Sequence, residues 1–189
     1  MKKLLTILFT MLTTATFAQF TTTNPDTVCI NATGSIYQVP SLGPNHTYTW
    51  TVASPGAITA GAGTNQITVN WGALPVGLNT NAVSVVATNT TTGCQSQPVN
   101  LNVFVLNIIP TITPIGPFCQ GAACVNLVGT PAGGTWSGTG VSGSQFCPNT
   151  SGPGTFTLTY TITQNGCTFT ATTTVIVNPN PVLSPIQHN

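Results

Sequence analysis

Thr47-Tyr48-Thr49-Trp50-Thr51-Val52 and, further on, Gln66-Ile67-Thr68-Val69-Asn70-Trp71 alternate polar with apolar side chains at every step. A period of two sends successive side chains to opposite faces, so each stretch predicts a strand with one buried face. Ser35-Ile36-Tyr37-Gln38-Val39 is a third short run of mixed polar and apolar residues, its alternation broken once at Ile36-Tyr37, and all three runs end in turn residues. Around them the chain is rich in Thr, Asn, Val and Ile, with 19 Gly and 15 Pro. β-Branched residues suit pleated strands, and Gly, Pro and Asn suit the turns between them. Short alternating strands at this spacing predict an all-β chain made of β-sandwiches.

The pattern occurs twice. Cys29 is followed by Tyr48-Thr49-Trp50, by Gly61-Ala62-Gly63-Thr64-Asn65-Gln66-Ile67, by Val83-Ser84-Val85-Val86-Ala87, by Gly93-Cys94 and by Leu101-Asn102-Val103-Phe104-Val105. Cys119 is followed by Gly134-Thr135-Trp136, by Gly138-Thr139-Gly140-Val141, by Phe156-Thr157-Leu158-Thr159-Tyr160-Thr161-Ile162, by Gly166-Cys167 and by Thr173-Thr174-Val175-Ile176-Val177. An internal repeat fixes domain limits better than propensity does. Two tandem domains are expected, over residues 24–105 and 112–177, with a proline-containing linker at 106–111 and a Pro/Asn-rich tail at 178–189. That tail reads as a linker without its following domain, as in a truncated member of a repeat family.

The N-terminus carries Lys2 and Lys3, the apolar run from Leu4 to Leu12, and the small-residue exit Thr16-Phe17-Ala18. These are the parts of a secretory signal peptide, which places residues 1–18 in the signal and cleavage after Ala18. The mature chain is then secreted or held at the cell surface, with no membrane insertion after cleavage. All 6 cysteines lie beyond the signal, and an even number in an exported chain predicts disulfides. The repeat pairs Cys29 with Cys94. The second domain's four cysteines allow three connectivities, of which the repeat favours Cys119 with Cys167, leaving Cys124 with Cys147. The spacing lacks the paired Cys-x2-Cys knuckles of a zinc site.

Charge narrows the function. The chain has 1 acidic residue, Asp26, and 2 basic ones, both in the signal segment. Acid-base catalysis, phosphate or nucleic-acid binding and calcium coordination draw on carboxylates, Lys, Arg or converging histidines. His46 has only Asp26 as a carboxylate partner, and His188 lies far from it in sequence. Gly61-Ala62-Gly63 and Gly138-Thr139-Gly140 have no Lys or Arg beside them and read as turns. Low charge also leaves strand edges unguarded, which points to self-association or edge-to-edge packing.

The segment from Cys29 to Val105, with Tyr37-Gln38-Val39-Pro40, Gly63-Thr64-Asn65-Gln66-Ile67-Thr68-Val69-Asn70-Trp71-Gly72 and Gly93-Cys94, resembles the PKD-like modules of large surface proteins of Bacteroidota. Pro131-Ala132-Gly133-Gly134-Thr135-Trp136-Ser137-Gly138-Thr139-Gly140-Val141 through Gly166-Cys167 is similar to the Ig-like repeats beside them in adhesins, including those linked to gliding motility. The resemblance implies two tandem Ig-like/PKD-like β-sandwich domains with disulfides, without catalysis or cofactor. It also implies adhesion or structural spacing, with other surface proteins or glycans as partners. Asp26-Thr27-Val28 resembles an O-glycosylation acceptor of such bacteria, which makes Thr27 a candidate modification site.

The tryptophans supply the rival reading, a carbohydrate-binding module. Trp50 and Trp136 hold equivalent repeat positions where an Ig-like sandwich buries its Trp, so core packing is expected of both. Trp71, beside Gly72 at a strand end, is the candidate glycan contact, against the ordinary alternative of core or turn packing. The runs Thr21-Thr22-Thr23, Thr90-Thr91-Thr92 and Thr172-Thr173-Thr174 are expected in loops or on solvent-facing strand positions.

Overall fold

A computed structural model describes residues 25–186 and His188. The signal segment therefore lies outside the described residues. Seven strands form the first half: β1 (Asp26–Cys29), β2 (Ser35–Gln38), β3 (His46–Val52), β4 (Ala57–Ala60), β5 (Gln66–Asn70), β6 (Gly77–Asn89) and β7 (Val99–Leu106). The second half holds β8 (Thr111–Ile112), β9 (Phe118–Cys119), β10 (Val125–Asn126), β11 (Gly129–Thr130), β12 (Thr135–Ser137), β13 (Val141–Ser142) and β14 (Gln145–Phe146). One helical turn, α1 (Pro148–Ser151), then leads to the long β15 (Gly154–Gln164) and β16 (Cys167–Asn178).

Both halves use one topology. The first has a sheet in the order β1-β7-β6-β3 facing β2-β5-β4, and the second has β9-β16-β15-β12 with β10-β14-β13. In each, the first strand runs parallel to the last, Asp26 opposite Val103 and Phe118 opposite Val177, while the other pairs are antiparallel. The fold is all-β: two tandem Ig-like/PKD-like sandwiches, joined by a disulfide. The short strand β8 pairs with β11 through Ile112 and Gly129, which ties the linker to the second sandwich.

Alternation in sequence becomes alternation in burial. Tyr48 is buried on β3 between exposed Thr47 and Thr49, and Ile67 and Val69 are buried on β5. On β16, buried Val175 and Val177 bracket exposed Ile176. Two separate cores result. The first gathers Val28, Tyr37, Ile67, Val69, Trp71 and Val103; the second gathers Leu127, Phe146, Leu158, Val175 and Val177.

Turn chemistry fixes the hairpins. Asn165 and Gly166 both take positive φ, 49° and 78°, as a tight turn between β15 and β16 requires, and only Gly and Asn reach that region at low cost. Close packing explains Gly134 of the Gly-Gly-x-Trp stretch. A Cβ there would stand 2.5 Å from the Tyr160 ring and 2.6 Å from the Thr161 carbonyl oxygen.

The disulfides depart from the expected pairing. Cys124 joins Cys147, as the repeat suggests, with Cα atoms 4.1 Å apart. Cys29, however, joins Cys167 across the two sandwiches, and Cys94 and Cys119 are free and exposed. Strand direction is the reason. Because β1 runs parallel to β7, Cys29 lies opposite Leu106 at the end of β7, whereas Cys94 follows the β6–β7 turn at its start. The length of β7 separates them by about 23 Å at ~3.3 Å per residue, beyond the ~7 Å that a disulfide spans. Cys119 lies opposite Asn178 at one end of β16 and Cys167 opens the other, about 35 Å away by the same rise. Pairing Cys29 with Cys94, or Cys119 with Cys167, is therefore excluded by the sandwich itself.

Candidate functional site

The single carboxylate serves the core. Tyr37 on β2 donates its hydroxyl to Asp26 Oδ2 on β1 at 2.8 Å, and Trp71 Nε1 donates to the same Tyr37 oxygen at 3.0 Å. The Tyr37 and Trp71 rings meet edge to face with centroids 6.0 Å apart. This chain of bonds links the two sheets of the first sandwich. Burial first, and then the Asp26 charge, push the Tyr37 phenol well above its ordinary value.

Trp71 is consequently not a glycan platform. It is 1% exposed, and Gly56 leaves room for it, since a Cβ there would stand 2.8 Å from the indole. The strand end that suggests exposure folds instead beneath the Ala53–Gly56 turn. Trp50 and Trp136 pack against their cores as expected, although both are half-buried rather than fully enclosed. Trp50 donates Nε1 to the Thr64 carbonyl at 2.7 Å.

His46 opens β3 opposite Asn89 and its Nε2 is 3.5 Å from Asn89 Nδ2. Strands β6 and β7 lie between it and the strand of Asp26, a lateral distance of about 14 Å at ~4.8 Å per strand. The two cannot form a catalytic dyad. Among the described residues no three His, Cys, Asp or Glu side chains converge. Thr27 sits half-buried on the edge strand β1, opposite Phe104.

Two surface features remain. One is an open groove on the second sandwich, lined by Leu127, Gly129, Gly134, Trp136, Ser144 and Tyr160. Trp136 stacks on Tyr160 at 4.7 Å between centroids. Tyr160 is fixed by donating to the Pro131 carbonyl at 2.6 Å and accepting from the Gly134 N–H at 2.9 Å. The other is a ladder of hydroxyls on the outer face, where Thr157, Thr159, Thr161 and Thr163 on β15 lie opposite Thr174, Thr172, Thr170 and Thr168 on β16. Thr90, Thr91 and Thr92 lie in the β6–β7 turn, and Thr21–Thr23 lie outside the described residues. No helix among the described residues is long and apolar enough to cross a membrane.

Comparison with solved structures finds matches at low identity. Drosophila N-cadherin domains EC1–4 are 13% identical over 83% of this chain and 48% of theirs, with a TM-score of 0.37. Extracellular domains 3–5 of Drosophila OTK are 13% identical over 83% of this chain and 59% of theirs, with a TM-score of 0.39. A SusE-like, surface-located polysaccharide-binding protein from the heparin utilisation locus of Bacteroides thetaiotaomicron is 15% identical over 82% of this chain and 33% of that one, with a TM-score of 0.33. The chain thus spans less than two thirds of each. No curated protein sequence matches significantly. Residues 15–103 match the family model of the PKD-like domain, a stretch that takes in the strands of the first sandwich through most of β7.

Proposed function

We propose that the protein is a secreted or cell-surface, non-enzymatic β-sandwich module for adhesion or structural spacing. The observation that carries this reading is the Cys29–Cys167 bridge between two sandwiches of one topology. A covalent staple between successive domains resists separation under load, which a spacer or adhesin needs and a catalytic fold does not. The PKD-like match of the first sandwich supports it. So does the use of Asp26 as acceptor for a buried tyrosine, which leaves no carboxylate for catalysis. Antibody labelling of intact cells of the native host, with an attachment assay on a strain lacking the protein, tests the reading. Surface labelling and weakened attachment are expected; confinement to the cytoplasm with all six thiols reduced would overturn it.

The Trp136 groove favours a second reading, carbohydrate binding, because a half-exposed indole beside Ser144 offers a stacking face and a hydroxyl. A glycan array probed with the full chain and with Trp136→Phe separates the two. Glycan capture weakened by that change supports carbohydrate binding, and no capture supports the spacer.

A further inference from the structure

The internal joint has two halves, and each half occurs twice. One half is the end of a first strand. Cys29 lies opposite Leu106, the Ile30 N–H donates to the Leu106 carbonyl at 3.0 Å, and the Ala32 N–H donates to the Cys29 carbonyl at 3.0 Å. Cys119 repeats this arrangement: it lies opposite Asn178, the Gln120 N–H donates to the Asn178 carbonyl at 2.9 Å, and the Ala122 N–H donates to the Cys119 carbonyl at 3.0 Å. The other half is the first residue after the last hairpin turn. Cys167 lies opposite Gln164, and Cys94 faces Asn89, whose N–H donates to the Cys94 carbonyl at 2.9 Å.

Within the chain, the strand-end half of the first sandwich meets the hairpin half of the second and the bond forms. The remaining halves, Cys119 and Cys94, are both exposed thiols. The exits from the last strands differ in the same sense. Four residues beyond Leu106, Pro110 is buried; four residues beyond Asn178, Val182 is 95% exposed. Each chain therefore carries one open half of each kind, and a second copy supplies what the first lacks. Charge does not oppose the approach, because the described residues contain Asp26 and no Lys or Arg.

We propose that Cys119 of one copy forms a disulfide with Cys94 of the next, so that the chain assembles head to tail and each intermolecular joint repeats the internal Cys29–Cys167 joint. Such an interface joins two different surfaces and has no twofold symmetry, so it propagates into a filament unless rotation closes a ring. The oxidant is a small-molecule or protein disulfide. The Cys119 thiolate attacks one of its sulfurs and expels a thiolate; Cys94 of the second copy then attacks the Cys119 sulfur and expels the other. Two protein thiols lose two protons and two electrons, and the oxidant's S–S bond becomes two thiols.

The test uses the full chain, with Cys94 and Cys119 reduced, incubated with glutathione disulfide and resolved on non-reducing gels. Peptide mapping follows with pepsin, because residues 4–189 contain no Lys or Arg for trypsin and acid halts exchange. A ladder of oligomers is expected, with Cys119–Cys94 as the new linkage. Cys94→Ser and Cys119→Ser should each stay monomeric, and an isotope-labelled mixture of the two should give the mixed dimer alone. Symmetric Cys94–Cys94 or Cys119–Cys119 dimers in comparable yield, an intramolecular Cys94–Cys119 bridge, or monomers carrying two glutathiones would each overturn the proposal. The same map reads the internal bridge, and finding Cys29 bonded to Cys94 would remove the template. Failure of assembly would leave the reading as a surface spacer standing.

Discussion

Cys29 closes β1 and Cys167 opens β16, and their Cα atoms stand 5.4 Å apart across 138 residues of sequence. Neither residue needs the other to complete its own sandwich, since each core closes without crossing the joint. The bond therefore acts chiefly on the freedom of one domain relative to the other. The four residues between β7 and β8, 107–110, would alone leave that freedom large.

Replacing both cysteines, Cys29→Ala with Cys167→Ala, should broaden the distance distribution between spin labels placed on the exposed thiols of Cys94 and Cys119. Loss of stability should stay below the ~5 kcal/mol that chain entropy gives for closing so long a loop. An unchanged, narrow distribution measured by double electron–electron resonance would mean that the linker and β8 alone hold the domains.

Tyr37 gives the first sandwich a pH limit. Its phenol is pushed above the ordinary value of 10.0 in the folded state, so above that pH the unfolded chain ionises while the folded chain keeps its proton. Stability is then fully present below pH 10.0 and falls as pH rises through the window above it, by at most about 1.4 kcal/mol per pH unit. Tyr37→Phe should lose this part of the alkaline slope. At neutral pH it should cost about 1–3 kcal/mol by leaving the buried Trp71 Nε1–H without its acceptor. Urea titrations across pH on Cys94→Ser/Cys119→Ser protein, where free thiols cannot shuffle, measure both effects.

Trp71→Ala should cost about 3–5 kcal/mol through the cavity it leaves. Because the cores are separate, hydrogen exchange should accelerate in β2 and β5 and remain unchanged in β15 and β16. Equal acceleration in both sandwiches would show that they unfold as one unit.

Alternation along Thr47–Val52 and Gln66–Trp71 made the strands and their buried faces readable, because a period of two maps directly onto a pleated sheet. The repeat likewise matched Trp50 on β3 with Trp136 on β12, and the Cys94 hairpin with the Cys167 hairpin. It could not tell which pole of the sandwich each cysteine occupies. That depends on β1 running parallel to β7, a long-range choice that leaves no mark in a four-residue strand. The repeat thus pairs Cys29 with Cys94 inside one domain, whereas the bond present, Cys29–Cys167, runs between domains and leaves Cys94 and Cys119 free. Trp71 was hard for a related reason: its burial depends on Tyr37, distant in sequence, and on the glycine at position 56 that lets the indole pass beneath the turn.

Gly134→Ala tests the second sandwich at its most crowded point. Its Cβ would meet the Tyr160 ring at 2.5 Å and the Thr161 carbonyl at 2.6 Å, and the ring cannot retreat without breaking its bonds to Pro131 and to the Gly134 N–H. Overpacking of this kind costs about 1–3 kcal/mol. Trp136, stacked on Tyr160, should move with it, so the loss should be accompanied by a shift in near-ultraviolet circular dichroism. Gly121→Ala is the control, because its Cβ meets only the Asn180 side chain at 3.4 Å, and it should change stability by about 0.5 kcal/mol or less. If chemical denaturation ranked the two equally, the crowding around Tyr160 would not be what fixes glycine at position 134.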